Sequence, residues 1–570
     1  MGPIGKNTEN YGAVETSIDS AESSVWVRES NNESLMSVFA DGGERRQAVK
    51  SCFARVVVLL ILSCIVFFRL SSSEGTMRSN DEKGVWMIGN SNTAVTVGPL
   101  YFEQQLDHFD ERNHKTWLNT YFTSNDFFGG PGHPILVIMG GEGPVEDILY
   151  PFVSNGLARE FSAYVLQTEH RFYGSSKPVG DNPTSGDFKA YLAPEQAMAD
   201  YIQLILHVQE QLGCSTDKSS IEYCPVITIG GSYPGFLSAM MRLVHPDVVD
   251  IGYASSAPLM LYEHLPDFDT NGYFDKVAQV ADMAVPGCVE ATYKTSKELN
   301  DWVLDEETSG TVSEIAGQLG ICVDSLPSYL HTLSRVDLGA ELTILLVTSN
   351  ADLNMQYYPP SEDAGLMQIC NIMMEDSTKT TAPQRYANFL TWKRTFGDDS
   401  SEAECFDLSS EIPNGPNATL STADWSGTGG GPVGEAWEFQ ICRDLVAQTG
   451  FAGSEKMFYP PRPWTLEWLS QHCQARFGVL PQPHRLIDLW HFDKLVSQTS
   501  HILFTNGLVD GWSASSYLHD LSDTIVALNF PNGAHHSDLD HEWPRPDDTP
   551  DIIEGHVQIT KILGEWLAKM

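Results

Sequence analysis

The stretch "VITIGGSYPGFLSAMMRLV", residues 226–244, predicts a buried strand, a sharp turn and a helix, with Ser232 at the turn. Apolar residues fill the strand positions, and apolar residues recur at helical spacing after the serine. A serine at such a turn is a recurrent position for a nucleophile, and its usual pattern is G-x-S-x-G. Here Pro234 replaces the closing glycine. The stretch therefore suggests a nucleophile with an unusual helix start.

Other short apolar runs surround this stretch and end in polar or glycine residues. Their positions are 134–141, 163–170, 250–259, 501–510 and 524–530. Amphipathic helices separate several of them, including one over residues 194–213 and one at the C-terminus. Such alternation is typical of parallel strands that are buried on both faces.

The alternation stops after residue 259 and returns only near the end of the chain. Residues 260–430 contain helical stretches and acidic loops without clear strand signals. We therefore predict an α/β sheet built from residues 98–259 and 431–570, with a large, mostly helical cap inserted at 260–430.

The charge of the chain excludes one class of partner. Its 34 Lys and Arg residues stand against 75 Asp and Glu residues, a formal net charge of −41. Such a protein repels phosphate backbones, so nucleic-acid binding is not expected. No metal-ligand cluster or phosphate-binding loop stands out, so no metal and no cofactor is implied.

The N-terminus carries a targeting signal. Residues 1–50 are polar and lack hydrophobic periodicity, which predicts a disordered cytoplasmic tail. The apolar segment at 52–70 has a 13-residue core between Arg55 and Arg69. It fits a type II signal-anchor, favoured by the long preceding tail, or a cleaved signal peptide. In either case the rest of the chain is expected to enter the secretory pathway. It would then be a single-pass type II membrane protein, a secreted protein or a protein of a lysosome-like lumen.

Cysteines and a glycosylation signal agree with that compartment. Eight cysteines follow the apolar segment, an even number that allows up to four disulfides. Their pairing is open at this stage. Asn417 begins an Asn-Ala-Thr sequon, a glycosylation acceptor in a lumenal protein.

Three candidate catalytic residues follow predicted strands. Acyl transfer requires a nucleophile, a base that deprotonates it and an acid that orients the base. Ser232, Asp510 and either His535 or His536 occur in that chain order at strand ends, where an open α/β sheet gathers its site. Each residue alone has an ordinary structural explanation, such as a turn serine or a capping aspartate. Their joint order favours catalysis.

Longer motifs carry a resemblance to a known family. They are "QQLDHFD" (104–110), "GGEGP" (140–144), "EHRFYGSS" (169–176), "APEQAMADY" (193–201), "GGSYPG" (230–235), "WEFQIC" (437–442), "NGLVDGW" (506–512) and "GAHHSDL" (533–539). In this respect the chain resembles the serine peptidases that include lysosomal Pro-X carboxypeptidase, post-proline dipeptidyl peptidase and thymus-specific serine protease, the last branch most closely. The resemblance implies an α/β-hydrolase fold.

The resemblance also implies a role for individual residues. Ser232 matches the nucleophile, Asp510 the triad acid and His535 the base. The expected oxyanion donors are the Tyr233 and Gly141 N–H groups, the expected substrate-binding residues are Trp512, Phe236 and Glu142, and the expected disulfide joins Cys442 to Cys473. Glu142 would bind a cationic amino terminus, although a structural hydrogen-bonding role suits it better. Phe236 has core packing as an equal alternative.

Two departures from the family pattern affect the expected substrate pocket. The family has Asp-Pro-Trp where this chain has Asp510-Gly511-Trp512, and glycine loosens that loop. Phe236 stands where the carboxypeptidase has a methionine, which puts strict proline preference in doubt.

The leading hypothesis is a serine exopeptidase that acts on short peptides. Carboxypeptidase and dipeptidyl peptidase activity remain open, as do proline preference and a homodimer. The alternatives are an esterase or lipase of the same fold and a non-catalytic binding protein.

Overall fold

The structure is a computed structural model. It describes residues 96–396, 404–408, 431–452, 457–540 and 544–570. The predicted tail at 1–50, the apolar segment at 52–70 and the sequon at Asn417 lie outside these residues. None of the described helices is both long and apolar enough to cross a bilayer.

The described residues contain one mixed β-sheet of eight strands. Its strands are β1 (Val97–Gln105), β2 (Thr116–Ser124), β3 (Ile135–Ile138), β4 (Tyr164–Thr168), β5 (Val226–Gly231), β6 (Ile251–Ser255), β7 (Ile502–Gly507) and β8 (Ile525–Phe530). Their spatial order is β1-β2-β4-β3-β5-β6-β7-β8. β2 is antiparallel to both of its neighbours, and all pairs from β4 to β8 are parallel.

Helices cover both faces of this sheet. They are α1 (Ala158–Glu160), α2 (Ser185–Tyr191), α3 (Pro194–Leu212), α4 (Ser232–Val244), α5 (Leu259–Glu263), α6 (Gly272–Ala284), α7 (Cys288–Leu304), α8 (Glu306–Ser309), α9 (Val312–Leu319), α10 (Arg335–Met355), α11 (Gly365–Met373), α12 (Ala382–Thr395), α13 (Gly431–Arg443), α14 (Leu466–Phe477), α15 (Arg485–Trp490), α16 (Leu495–Gln498) and α17 (Pro550–Leu567). A π-helix at Phe152–Leu157 runs directly into α1.

Alternation along the strands divides the core into two layers. On β3, Ile135 and Val137 pack on one side of the sheet, and Leu136 and Ile138 pack on the other. Successive strand residues point to opposite faces, so a strand between two helical layers must be apolar throughout. The parallel strands, the helices on both faces and the serine turn after β5 together make an α/β-hydrolase fold, as predicted.

The helical insertion lies between β6 and β7. From α5 to α16 the described residues add no strand to the sheet. Helices therefore continue beyond residue 430, the predicted end of the cap, as far as Gln498. The predicted domain boundaries themselves remain predictions.

Disulfides join distant parts of the chain. The described pairs are Cys214–Cys224, Cys288–Cys370, Cys322–Cys405 and Cys442–Cys473. The last joins α13 to α14 and is the pair that the resemblance implied. Four disulfides indicate folding in an oxidising compartment, hence in the secretory pathway or outside the cell.

Candidate active site

The turn after β5 holds Ser232 in a strained conformation. Ser232 has φ 62°, in the left-handed region that side chains larger than glycine rarely adopt, and α4 begins at this residue. Such strain persists only where the surroundings enforce it, and it clusters at functional sites. The strand-turn-helix prediction is confirmed.

Glycines beside the turn explain how Pro234 is accommodated. A Cβ on Gly230 would lie 2.5 Å from the Pro234 carbonyl carbon, and one on Gly235 would lie 2.8 Å from the Ser255 carbonyl oxygen. The helix therefore reaches the sheet through Gly235, one residue later than in the usual pattern. Pro234 itself lies in the first turn of α4, where backbone N–H groups have no intrahelical partner and a missing one costs little.

Asp510 and His535 meet at the ends of β7 and β8. The His535 Nδ1 atom lies 2.7 Å from Asp510 Oδ2, and both side chains are buried. The other carboxylate oxygen, Oδ1, accepts the Trp512 N–H at 3.0 Å. A carboxylate oxygen accepts hydrogen bonds, so Nδ1 is the donor of this contact, and in the corresponding neutral tautomer Nε2 is the acceptor. That tautomer is the one a general base requires.

A cavity of about 340 Å³ brings most of the predicted residues together. Ser232 and His535 line it, as do the predicted residues Gly141, Glu142 and Trp512. A Cβ on Gly141 would lie 2.4 Å from the Pro234 ring, so this loop packs directly against the serine turn. Tyr233 follows Ser232 in the first turn of α4, and its side chain is buried.

Phe236 does not line this cavity, and its position matches core packing, the equal alternative. Its ring is fully buried and packs against the rings of Tyr262, Trp490 and Phe492, with centroids 4.9, 6.2 and 5.7 Å away. One helical turn, about 5.4 Å of rise, separates it from Ser232 and carries it into the core. Phe236 therefore supports Tyr262, which does line the cavity.

Several residues that line the cavity carry little or no signal in the sequence. Tyr262, Met355 and Trp437 come from the helical insertion, and Tyr150 precedes the π-helix. Trp512 donates its indole N–H to Met355 Sδ at 3.3 Å. Only Trp437 had a signal, because it lies in the quoted motif "WEFQIC". Met355 belongs to a long apolar helix with no motif.

His536, beside His535, has a different environment. Its Nδ1 lies 3.1 Å from Asp540 Oδ1, and it also lines the cavity. Burial alone lowers the pKa of His536, but the carboxylates of Asp540, Asp538 and Asp510 outweigh burial and raise this pKa to about 9. His536 is therefore a cation at neutral and mildly acidic pH.

Two residues of the motif "EHRFYGSS" (169–176) hold neighbouring segments in place through their side chains. Glu169 accepts hydrogen bonds from the N–H groups of Val145 and Ser175, at 2.9 and 3.1 Å. Arg171 is fully buried and makes a bidentate ion pair with Asp200, at 2.6 and 2.8 Å. Glu169 therefore fixes the loop that follows β3, and Arg171 fixes the segment after β4 against α3. Neither side chain lines the cavity, which gives the motif a structural explanation.

The described side chains offer no cluster of three or more His, Cys, Asp or Glu residues arranged to hold a metal ion. The charged or titratable side chains among the lining residues are Glu142, Tyr150, Tyr262, His535 and His536.

Comparison with known proteins identifies the family. The family described as serine carboxypeptidase S28 matches residues 104–558. This chain belongs to that family. It is 29% identical to lysosomal Pro-X carboxypeptidase of Mus musculus over 449 residues, covering 77% of this chain and 83% of the relative. The Homo sapiens protein of the same name is 28% identical over 493 residues, covering 85% and 92%.

More distant proteins also match. "Prolyl carboxy peptidase like protein 5" of Caenorhabditis elegans is 25% identical over 502 residues, covering 82% of this chain and 89% of the relative. Among solved structures, a brefeldin A esterase covers 33% of this chain and 46% of its own, with 17% identity and a TM-score of 0.21. An overlap that small carries no argument about function.

Family membership identifies the protein as a serine-type peptidase of the exopeptidase kind. The match extends from β1 to the C-terminal helix and so includes the insertion. An esterase or lipase would need to share only the sheet and the serine turn. The esterase and binding-protein alternatives are therefore not favoured.

Proposed function

We propose that Ser232, His535 and Asp510 are the catalytic triad of a serine exopeptidase that cleaves short peptides near proline. The observation that carries the proposal is the 2.7 Å contact of His535 Nδ1 with Asp510 Oδ2 beside a cavity that Ser232 also lines. The strained backbone of Ser232 supports the same role. His536 fits the role of base poorly, because a histidine that is already protonated cannot accept the serine proton.

The proposed reaction proceeds in two stages. His535 Nε2 removes the Ser232 hydroxyl proton as Oγ attacks the scissile carbonyl carbon, and Asp510 stabilises the resulting imidazolium. The C–N bond then breaks, and His535 returns the proton to the leaving amine. In the second stage His535 deprotonates a water molecule, which attacks the acyl-enzyme ester and releases Ser232 with its proton.

The proposed oxyanion donors are the backbone N–H groups of Tyr233 and Gly141. Tyr233 lies in the first turn of α4, where N–H groups lack intrahelical acceptors. Gly141 lines the same cavity and packs against Pro234. Two such donors stabilise the negative charge that develops on the oxygen, and loss of one typically costs about 100- to 1000-fold in rate.

Apolar and aromatic side chains of the cavity support a preference for proline. Trp512, Trp437 and Met355 line it, and a pyrrolidine ring packs well against such surfaces. The mammalian relatives are named Pro-X carboxypeptidases, which agrees with this preference. Gly511 does not leave Trp512 loosely held, because the indole is buried against the Tyr273 ring, at 4.3 Å between centroids.

Charges in the cavity bear on which end of the peptide is bound. Glu142 would bind a cationic amino terminus, as a dipeptidyl peptidase requires, and protonated His536 would attract a terminal carboxylate, as a carboxypeptidase requires. Both readings remain within the proposal. The family description favours the carboxypeptidase.

The proposed cellular compartment rests on the apolar N-terminal segment and on the names of the relatives. We propose entry into the secretory pathway through the apolar segment at 52–70, as a type II anchor or as a cleaved signal, and residence in a lysosome-like lumen or outside the cell. The mammalian relatives are named lysosomal. A homodimer and glycosylation at Asn417 remain predictions.

A fluorophosphonate probe tests the proposed nucleophile. The full chain should be labelled covalently between pH 4 and 8, and the Ser232→Ala variant should not. Labelling that persists in Ser232→Ala, or absence of labelling in the folded wild-type protein, would overturn the proposal. Peptide libraries with free or blocked ends, with and without proline, then separate carboxypeptidase from dipeptidyl peptidase activity.

A further inference from the structure

The last turn of α10 reaches from the helical insertion to the loop that carries Asp510. Asn354 is fully buried in this turn. Its Nδ2 donates to the Val509 carbonyl oxygen at 2.8 Å, and its Oδ1 accepts the Gly511 N–H at 2.8 Å. One side chain therefore bonds to the residues immediately before and after Asp510.

The next residue of the same helix contacts the histidine loop. The Met355 carbonyl oxygen accepts the His535 N–H at 3.2 Å. Carbonyl groups in the last turn of a helix have no intrahelical partner, so this oxygen is free to accept. Two consecutive residues of α10 thus hold the loops of Asp510 and His535. The side chains of these two residues are in contact, with 2.7 Å between Asp510 Oδ2 and His535 Nδ1.

The Asn354 contact uses the backbone N–H of residue 511, which any residue except proline supplies. Where the family pattern has proline, the ring restricts the backbone but supplies no N–H. Gly511 lacks that restriction, yet its N–H is bonded to Asn354. In this chain a hydrogen bond from the insertion therefore takes the place of the restraint that a proline ring would give.

We propose that Asn354 is a positioning residue of the catalytic triad, which it orients through the backbone on both sides of Asp510. This inference rests on the proposed role of Asp510. Geometry at the triad is demanding, because a displacement of about 1 Å can cost about 100-fold in rate. The helical insertion therefore completes the active site as well as covering it.

The first test compares two asparagines on one helix. Asn354→Ala should lower kcat about 10- to 100-fold and leave KM within about 3-fold, because the triad is displaced and substrate binding is not. Asn350 is the matched control: it is buried one turn earlier, and its Nδ2 bonds to the Leu346 carbonyl oxygen within the helix. Asn350→Ala should keep kcat within about 2-fold of wild type. Equal losses in both variants would overturn the inference.

A double-variant cycle shows whether Asn354 acts through Asp510. Added to Asp510→Ala, Asn354→Ala should lower kcat by less than about 2-fold, because the group that it positions is gone. A full further loss would overturn the inference. If Asp510→Ala alone keeps wild-type kcat, the proposed triad fails as well. If Asp510→Ala is inactive and Asn354→Ala has wild-type kcat, the positioning role alone fails.

Folding is followed in the same preparations by thermal unfolding. Asn354→Ser keeps one hydrogen-bonding group, so its kcat should lie between those of wild type and Asn354→Ala. If Asn354→Ala yields no folded protein, the kcat, KM and Tm of Asn354→Ser are used to test the positioning role. A lower kcat with KM and Tm near wild type supports positioning, and an unchanged kcat overturns it.

Discussion

The sheet and the helical insertion build the same site by different means. The sheet supplies side chains that each follow a strand end, namely Ser232, His535 and Asp510. The insertion supplies cavity walls from helix surfaces, namely Tyr262, Met355 and Trp437. Strand order gathers the first group, because parallel strands end at one edge of a sheet. The second group depends on how helices pack, so the chemistry follows topology and the shape of the cavity follows packing.

The largest expected effect concerns the two adjacent histidines that follow β8 of the sheet, His535 and His536. His535→Ala should lower kcat by about 10⁶-fold, because the base that activates Ser232 is removed. His536→Ala, the matched control, should lower kcat far less, because a protonated His536 is not the base. Steady-state kinetics on one peptide substrate measure both. The reverse ranking would move the base to His536 and contradict the assignment of His535, which rests on the family resemblance and on its contact with Asp510.

Sequence patterns predicted the sheet well where strands are buried on both faces. The runs at 134–141, 163–170 and 226–231 became β3, β4 and β5. In contrast, β1 and β2 were not predicted. β1 is a largely exposed edge strand whose residues alternate only weakly. β2 is mostly buried, but buried polar residues such as Asn119, Thr120 and Thr123 interrupt its apolar pattern. A strand gives a continuous apolar run only where its buried positions hold apolar side chains.

The insertion was predictable only in outline. Its helical character was recognised, but Asn354 had no signal, because α10 is buried on nearly all sides and has no polar stripe to indicate its neighbours. The bond to Val509 also spans 155 positions in sequence. Such a contact follows from the packing of two separate regions, which local patterns do not encode.

The second prediction concerns the buried ion pair between Arg171, which follows β4, and Asp200 of α3. Arg171→Met should lower the free energy of unfolding by about 3–5 kcal/mol, because it leaves the Asp200 carboxylate buried without its main partner. The exposed pair Lys297–Asp301 in the insertion is the control, and Lys297→Met should cause no measurable loss. Urea unfolding measures both variants. Similar small losses would show that Asp200 finds a substitute partner, such as His108, which already contacts it at 2.6 Å.

The third prediction concerns how the insertion is held together. Cys288 and Cys370 are buried and join α7 to α11 across 82 residues. Replacing both with alanine should lower the free energy of unfolding by about 4 kcal/mol, since a long loop gains much entropy on unfolding. The Cys214–Cys224 disulfide closes only 10 residues, so its double alanine variant should lose about 3 kcal/mol. Thermal unfolding under non-reducing conditions compares them.

A larger loss for the Cys214–Cys224 variant would contradict this ranking. It would show that the disulfide across the short loop before β5 contributes more to the free energy of unfolding than the disulfide between α7 and α11. In that case the sheet region, and not the insertion, would be the part that depends on disulfides.

The smallest expected effect is a pH dependence within the histidine loop of the sheet. The pKa of His536 is raised above its ordinary value of about 6.5, so its pairing with Asp540 stabilises the fold fully below that pH. The stabilisation is then lost as the pH rises through about 9. Asp540→Asn should therefore lower the free energy of unfolding by about 1 kcal/mol at pH 6 and by much less at pH 10, given the partial exposure of the pair.

Urea unfolding at the two pH values measures this difference. Asp547→Asn is the matched control, because Asp547 is exposed and pairs only loosely with Arg545, at 3.7 Å. Its small effect should be the same at both pH values, since arginine stays protonated throughout. If the loss in Asp540→Asn is also independent of pH, the charge of His536 does not depend on Asp540. The pKa of His536 would then have to be raised by the other nearby carboxylates, Asp538 and Asp510.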